Sequence, residues 1–252
     1  MNTGTKQSMN RAAKTLVAAG QTVALTGAGI SVESGIPPFR GKGGVWEKFD
    51  PMEYAYIDSF LKNPEKVWRV LLSELFKTLK AAQPNKAHKG LAALESMGKL
   101  QSIITQNVDG LHQQAGSGDV LEFHGTFARY YCMDCGQQAG LGDLDLTCMP
   151  PRCRCDGVIR PDCVFFGEPI PPDLLLRSEQ LAAQCDVMLV VGTSASVTPA
   201  SDLPVQAKAA GATIIEVNAQ ETPLTNWISD IFLKGKATEM IHRLATETTD
   251  LM

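Results

Sequence analysis

Four cysteines fall as two close pairs, Cys132-Met133-Asp134-Cys135 and Cys153-Arg154-Cys155. Thiolates delivered in pairs from turns can surround one Zn2+ tetrahedrally, and a set of four leaves no open position for a substrate, so such a metal is structural. A redox disulfide needs only one pair, normally at a helix start, whereas here two pairs bracket a turn-rich stretch. The second pair is C-x-C, and Cys148 is near enough to stand in for Cys153. The knuckle-like run Arg152-Cys153-Arg154-Cys155-Asp156-Gly157 favours Cys153. Cys163 and Cys185 lie among strand-like apolar residues and read as core.

A second group of residues is built on glycine. Gly27-Ala28-Gly29-Ile30 follows the apolar run 22–26 and leads into Ser34-Gly35-Ile36-Pro37-Pro38-Phe39-Arg40-Gly41. A strand that ends in close glycines lets backbone N–H groups approach a phosphate with no Cβ in the way. The usual dinucleotide fingerprint would put a third glycine where Val32 stands, and a Pro- and Gly-rich segment replaces the long helix. The pattern points to a dinucleotide and away from hydride transfer. A dehydrogenase would also want an acidic residue ending the next strand; Glu47 and Asp50 have roughly that spacing but no strand before them.

Gln106, Asn107 and Asp109 directly follow the strand-like run 101–105. Ligands of open parallel sheets bind beyond the carboxyl ends of strands, so these three are expected to face the crevice that Gly27 opens. Helix capping by Asp109 over 110–114 accounts for one polar residue, not three. Gly192-Thr193-Ser194 and Asn218 add polar groups at two further strand ends. Of the four histidines, His88 and His242 fall on helices and His112 follows the polar run. His124 sits at an element end beside Gly125, where a general base can reach a ligand.

These residues need a scaffold of strands alternating with helices. Apolar periodicity predicts helices over 9–19, 86–97, 200–209 and 237–245, and one beginning at Asn63-Pro64-Glu65 with Trp68, Leu71, Leu72, Leu75 and Phe76 on its apolar face. Strands are predicted at 22–26, 101–105, 187–191 and 213–217. Residues 31–46 are expected as loop with at most a short helical turn, since prolines and glycines interrupt it. Alternating strands and helices imply an α/β fold with a parallel sheet covered on both faces. Between Tyr130 and Phe166 the pattern changes to cysteines, short β-like pieces and turns, which marks a small inserted domain.

With 252 residues the chain can hold one large domain and a small insert. A net charge of −4, from 23 basic and 27 acidic side chains, offers no basic stripe for nucleic acid. No run is long and apolar enough to span a membrane, and the polar first residues lack a signal-peptide core, so a cytoplasmic location is expected.

Taken in order, the blocks 27–46, 105–112, Phe123-His124-Gly125, the four cysteines, Val164-Phe165-Phe166-Gly167-Glu168, Gly192-Thr193-Ser194 with Val197 and Pro199, and Val217-Asn218 resemble the sirtuins, NAD-dependent protein lysine deacylases. The resemblance covers about residues 9–246. It implies one catalytic core: a Rossmann-like NAD-binding domain from about 9–30, 84–125 and 166–247, and a small domain from about 31–83 and 126–165 carrying the zinc. It implies that Gly27, Ala28, Gly29, Ile30 and Arg40 take the pyrophosphate end of NAD, with Phe39 and Trp46 closing over the nicotinamide side. Gln106, Asn107 and Asp109 would shape the ribose and nicotinamide pocket, and Gly192, Thr193, Ser194, Asn218, Ala219 and Ala237 the adenosine half. His124 would be the general base, with Asn107 beside it. The acyl-lysine peptide would lie as an added strand on Val164, Phe165, Phe166 and Gly167 and touch Val197.

Two departures from the family pattern matter. Pro38 stands where many members have Asp. The subgroup that removes acidic acyl chains carries Tyr-x-x-Arg where this chain reads Leu71-Leu72-Ser73-Glu74, so a succinyl carboxylate would meet leucine and a negative charge. Neutral acyl groups are therefore expected, acetyl and longer aliphatic chains. Mono-ADP-ribosyl transfer and a non-catalytic, NAD-sensing role remain as alternatives at this stage.

Overall fold

The structure is a computed structural model describing residues 3–41 and 43–252. Its strands are β1 (Thr22–Thr26), β2 (Ser102–Thr105), β3 (Val120–Glu122), β4 (Gly125–Cys132), β5 (Gln138–Ala139), β6 (Ile159–Cys163), β7 (Val187–Val191), β8 (Thr213–Asn218) and β9 (Ile231–Lys234). Six of them form one sheet in the order β3-β2-β1-β7-β8-β9, every pair parallel. Every residue of β1, β2 and β7 is buried, as a sheet covered on both faces requires. Strand order reverses between β1 and β7, and that switch point is where open α/β sheets leave a ligand crevice. The remaining three strands form an antiparallel sheet, β5-β4-β6.

Helices Thr3–Ala18, Lys86–Ser96 and Ala237–Asp250 pack on one face of the large sheet through Met9, Leu16, Leu91, Leu94, Ile241 and Leu244. Helices Pro172–Gln184 and Leu203–Ala209 cover the other face. The first helix starts earlier than apolar spacing indicates, because its opening residues are polar and carry no periodic signal. The last continues past Ala245 because the buried Thr248 satisfies its hydroxyl on the Leu244 carbonyl, at 2.6 Å. Strand β3 is the strand expected just before His124, whereas helix Pro172–Gln184 and strand β9 have no counterpart among the expected elements; β3 and β9 are short and lie at the sheet edges.

The small sheet packs against the helices after residue 56 through Phe60, Val67, Trp68, Leu72, Tyr130, Ile159 and Phe165. Asn63 caps the expected helix start by accepting from the Lys66 N–H. A π-helical turn, Trp68–Leu72, then interrupts the helix before Ser73–Ala81. It shifts the apolar face, so Trp68, Leu71 and Leu72 are buried whereas Leu75 and Phe76 are only half-buried. Residues 28–34 form two short 3-10 turns, Ala28–Ile30 and Val32–Ser34, rather than plain loop, and a helical turn follows at Val45–Lys48.

Candidate active site

A cavity of about 830 Å³ opens at the carboxyl ends of β1, β2 and β7 and runs to the small sheet. Its wall includes Gly27, Ala28, Gly29, Phe39, Arg40, Trp46, Gln106, Asn107, His124, Gly192, Thr193, Ser194, Asn218 and Ala219, and also Val164, Phe165, Phe166, Gly167 and Val197. Three residues expected there are absent from it. Ile30 is buried in the core, Ala237 opens the last helix and is buried in the same core, and Asp109 turns inward to accept from Ser31 Oγ at 2.7 Å and the Leu111 N–H at 3.0 Å. Conversely, Cys163 was expected in the core and lies on the cavity wall. Cys185 is buried as expected.

The glycine turn works differently from a phosphate cradle. Gly27 donates to the Val191 carbonyl at 3.0 Å, Gly29 to the Gly192 carbonyl at 2.7 Å, and Ile30 to the Gly27 carbonyl at 3.1 Å. Among the described residues, Ala28 alone of these four has an N–H without a protein partner. The glycines instead let two strand ends touch. A Cβ on Gly29 would stand 2.7 Å from Gly192 Cα, and one on Gly192, whose φ is +62°, would stand 2.4 Å from the Ile30 nitrogen. Neither neighbour can yield, because both are backbone. Gly29→Ala should therefore cost about 1–3 kcal/mol of stability and weaken NAD binding; melting curves with and without NAD read both, and unchanged curves would contradict this packing.

Behind the turn lies a polar network in which His112 Nδ1 is buried without a hydrogen-bond partner among the described residues. The backbone N–H of Asn85 points at His88 Nδ1 (3.3 Å), so the ring carries its proton on Nε2 and donates toward Ser31 Oγ (3.4 Å). Ser31 passes its own proton to Asp109. Asn107 Nδ2 donates to the Gly27 carbonyl and to Ser31 Oγ, both at 3.2 Å, so its Oδ1 is left without a protein partner among the described residues. His112 Nε2 meets Thr26 Oγ1 at 2.9 Å, and the two histidine rings sit edge-to-face, 5.0 Å apart. Burial pushes His88 down to about 4 and His112 down to about 3, so both are neutral; burial pushes the Asp109 carboxyl up. As pH falls through the ordinary histidine value, the unfolded chain takes protons that these rings refuse, and stability drops.

His124 Nδ1 lies 3.1 Å from the Gln106 carbonyl, which can only accept, so Nδ1 carries the proton and Nε2 keeps its lone pair. Burial lowers the histidine from its ordinary value, with the Gln106 bond opposing, which favours the neutral base. Phe123, fully buried, holds the ring edge-to-face at 5.5 Å. The adjoining Gly125 has φ +75°, and a Cβ there would sit 2.1 Å from the Asp162 carbonyl. Gln106 also donates through Nε2 to Thr193 Oγ1 at 3.0 Å, joining His124 to the end of β7.

At the end of β8, Asn218 Nδ2 donates to the Thr193 carbonyl (3.0 Å) and to Glu216 Oε1 (3.2 Å). Glu216 is fully buried and also accepts from Thr222, Thr225 and Ser229 hydroxyls, a carboxylate that orders the 219–229 loop. Sequence reading missed it, since a glutamate inside an apolar strand is the only signal. Phe39 stacks on Trp46 at 5.3 Å, and Trp46 reaches Phe166 at 6.5 Å, so residues 39–46 touch the edge beyond β6. Leu71, Leu72 and Leu75 line one end of the cavity. Glu74, expected there as a negative charge, is instead solvent-exposed and paired with Lys77 at 2.8 Å.

The sulfurs of Cys132, Cys135, Cys153 and Cys155 all lie within 4.8 Å of one another, with Cys132 to Cys155 at 3.5 Å and Cys135 to Cys153 at 3.7 Å. Zn–S bonds of about 2.3 Å place tetrahedral sulfurs about 3.8 Å apart, so the set fits a structural zinc ion. Cys148 is exposed and outside the cluster.

The sequence profile of the Sir2 family matches residues 27–199. An NAD-dependent protein deacylase of Aeropyrum pernix is 48% identical over 224 residues, covering 88% of this chain and 90% of that protein. NAD-dependent protein deacylase 1 of Archaeoglobus fulgidus is 45% identical over 92% of this chain and 94% of its own length. Among solved structures, a Sir2 homologue in complex with NAD superposes with TM-score 0.89 at 43% identity, covering 96% of this chain and 94% of that one. A Sir2 bound to deacetylated p53 peptide and 3'-O-acetyl ADP-ribose gives 0.90 at 37%, covering 95% and 98%. With the family model over residues 27–199 and relatives of 45–48% identity along most of both chains, the chain belongs to the Sir2 family.

Proposed function

We propose that this protein uses NAD to remove neutral acyl groups from lysine side chains, with His124 as general base. The observation that carries this reading is the position of His124. It shares one cavity with the strand-end turns at Gly29 and Gly192 and with the Val164–Gly167 edge, and its Nε2 has no protein partner among the described residues. On this reading Ala28 and Arg40 hold the pyrophosphate, Asn107 Oδ1 meets the nicotinamide end, and Ser194, Asn218 and Ala219 meet the adenosine. The acyl oxygen attacks the anomeric carbon as nicotinamide leaves. His124 Nε2 takes a proton from a ribose hydroxyl, and the acyl group passes to that ribose with addition of water. Nicotinamide, lysine and O-acyl-ADP-ribose result.

Support for the two-domain division comes from the two hydrophobic clusters of the large sheet and the separate one that joins the zinc module to residues 57–72. Reduced thiolates and consumption of NAD suit the cytoplasm; no helix among the described residues is long and apolar enough to cross a membrane.

The test is incubation with acetyl-lysine peptide and NAD, followed by mass analysis. Acyl-ADP-ribose together with free nicotinamide supports deacylation. Label on protein would mean ADP-ribosyl transfer, and neither product would leave only binding. Acyl scope follows from Leu71, Leu72 and Leu75: a succinyl carboxylate would be buried against leucine with no cation, at a cost of several kcal/mol. Acetyl and aliphatic peptides are expected to turn over at least about 10-fold faster than a succinyl peptide, since each 1.4 kcal/mol is tenfold. A succinyl preference would overturn this assignment.

A further inference from the structure

The following inference rests on the deacylase reading and concerns what shapes its peptide edge. Arg160, in β6, is 3% exposed. Its guanidinium donates through Nη1 and Nη2 to Oε1 and Oε2 of Glu168, each at 2.7 Å, and Nη2 also reaches the Cys163 carbonyl at 2.7 Å. Glu168 Oε2 accepts in turn from the Phe165 N–H at 2.8 Å. The guanidinium lies 4.7 Å from the Phe165 ring centroid, with Tyr131 and Phe60 at 5.5 and 5.7 Å. One ion pair thus occupies two backbone groups of the 163–167 segment and packs on one of its side chains.

The rest of the segment is held with equal economy. Val164 donates to the His124 carbonyl at 2.9 Å, Phe166 donates to the Ala55 carbonyl at 2.9 Å, and the Phe166 carbonyl accepts from Ile57 at 3.0 Å. Among the described residues, the Val164 carbonyl and the Gly167 N–H have no protein partner. Those are the groups left to pair with an added strand. A buried ion pair contributes little net stability against an apolar replacement, but a bidentate one fixes geometry.

We propose that Arg160 and Glu168 are positioning residues for substrate: their pairing fixes the 163–166 segment and the turn that closes it, where Gly167 has φ +87° and the Phe165 carbonyl accepts from the Glu168 N–H at 3.1 Å, so that its open backbone groups are presented to the acyl-lysine peptide. The pair does not touch the nucleotide turns, so its loss should separate the two ligands. Binding of a fluorescent acetyl-lysine peptide in the presence of ADP-ribose, and of ADP-ribose alone, is measured for wild type, Glu168→Gln and Arg160→Lys. In Glu168→Gln the peptide Kd should rise about 10–100-fold, the scale of losing charge-assisted hydrogen bonds. In Arg160→Lys, which keeps the charge without the fork, it should rise less, while the ADP-ribose Kd stays within about twofold in both, well below the tenfold that 1.4 kcal/mol represents.

An unchanged peptide Kd, or parallel loss of both ligands, would overturn the proposal; failure of both variants to bind ADP-ribose would assign the pair to the fold itself and overturn it too. Wild-type protein that binds peptide without turning it over would sink the deacylase reading and leave the positioning role standing. Wild-type protein that binds no peptide would overturn both.

Discussion

Replacing His124 by alanine is expected to slow acyl-lysine turnover by about 10²–10⁴-fold, the usual worth of a general base, with NAD binding and cooperative melting retained. The imidazole makes one bond to protein, to the Gln106 carbonyl, and its removal leaves that acceptor facing a cavity that water can enter. The fold therefore loses little. The chemistry loses the only neutral imidazole on the described cavity wall. The pH dependence has a definite sign. A base works unprotonated, and burial lowers this histidine, so the acid limb of activity should fall below the ordinary histidine value rather than above it. Turnover measured against pH checks this, and near-normal deacylation by His124→Ala would remove the histidine from the mechanism.

Loss of zinc should be as damaging. Cys132 ends β4 and His124 immediately precedes its first residue; the pair Gly125 and Cys163 closes one end of the β4-β6 ladder, and Cys132 with Ile159 closes the other. Structural zinc sites supply about 10–16 kcal/mol of binding free energy in small peptide modules, far more than this three-stranded sheet could replace. Cys135→Ser, or exhaustive chelation, is expected to unfold the module, release one zinc per chain and abolish deacylation, because base and peptide edge share its strands. The large sheet, with its own cores, should keep much of its helical signal. Metal analysis, circular dichroism and activity on one sample separate these effects, and full activity in metal-free protein would show the module to be dispensable.

The parts of this molecule that were legible from sequence are those written locally. Strand β1, the capped helix start at Asn63 and the cysteine pairs each announce themselves within a few residues. The crevice residues Gln106, Asn107 and Thr193 follow from one rule about strand ends. What was illegible depends on partners far along the chain. Asp109 was placed in the crevice by its neighbours, yet Ser31 and the Leu111 N–H draw it inward. Glu74 was placed beside the leucines by the four residues 71–74, yet its carboxylate faces solvent and pairs with Lys77. Glycines near a nucleotide suggested open N–H groups, while their actual necessity is the contact between positions 29 and 192.

That contact leaves a diphosphate with one open backbone donor on the glycine turn, the Ala28 N–H. On the proposed reading the remaining negative charge falls to Arg40, an exposed guanidinium on the loop that Phe39 and Trp46 brace against Phe166. Dinucleotide affinity and loop position thus become one linked equilibrium. By reciprocity, whatever steadies the loop from the peptide side tightens the nucleotide, and the nucleotide steadies the peptide side by the same factor.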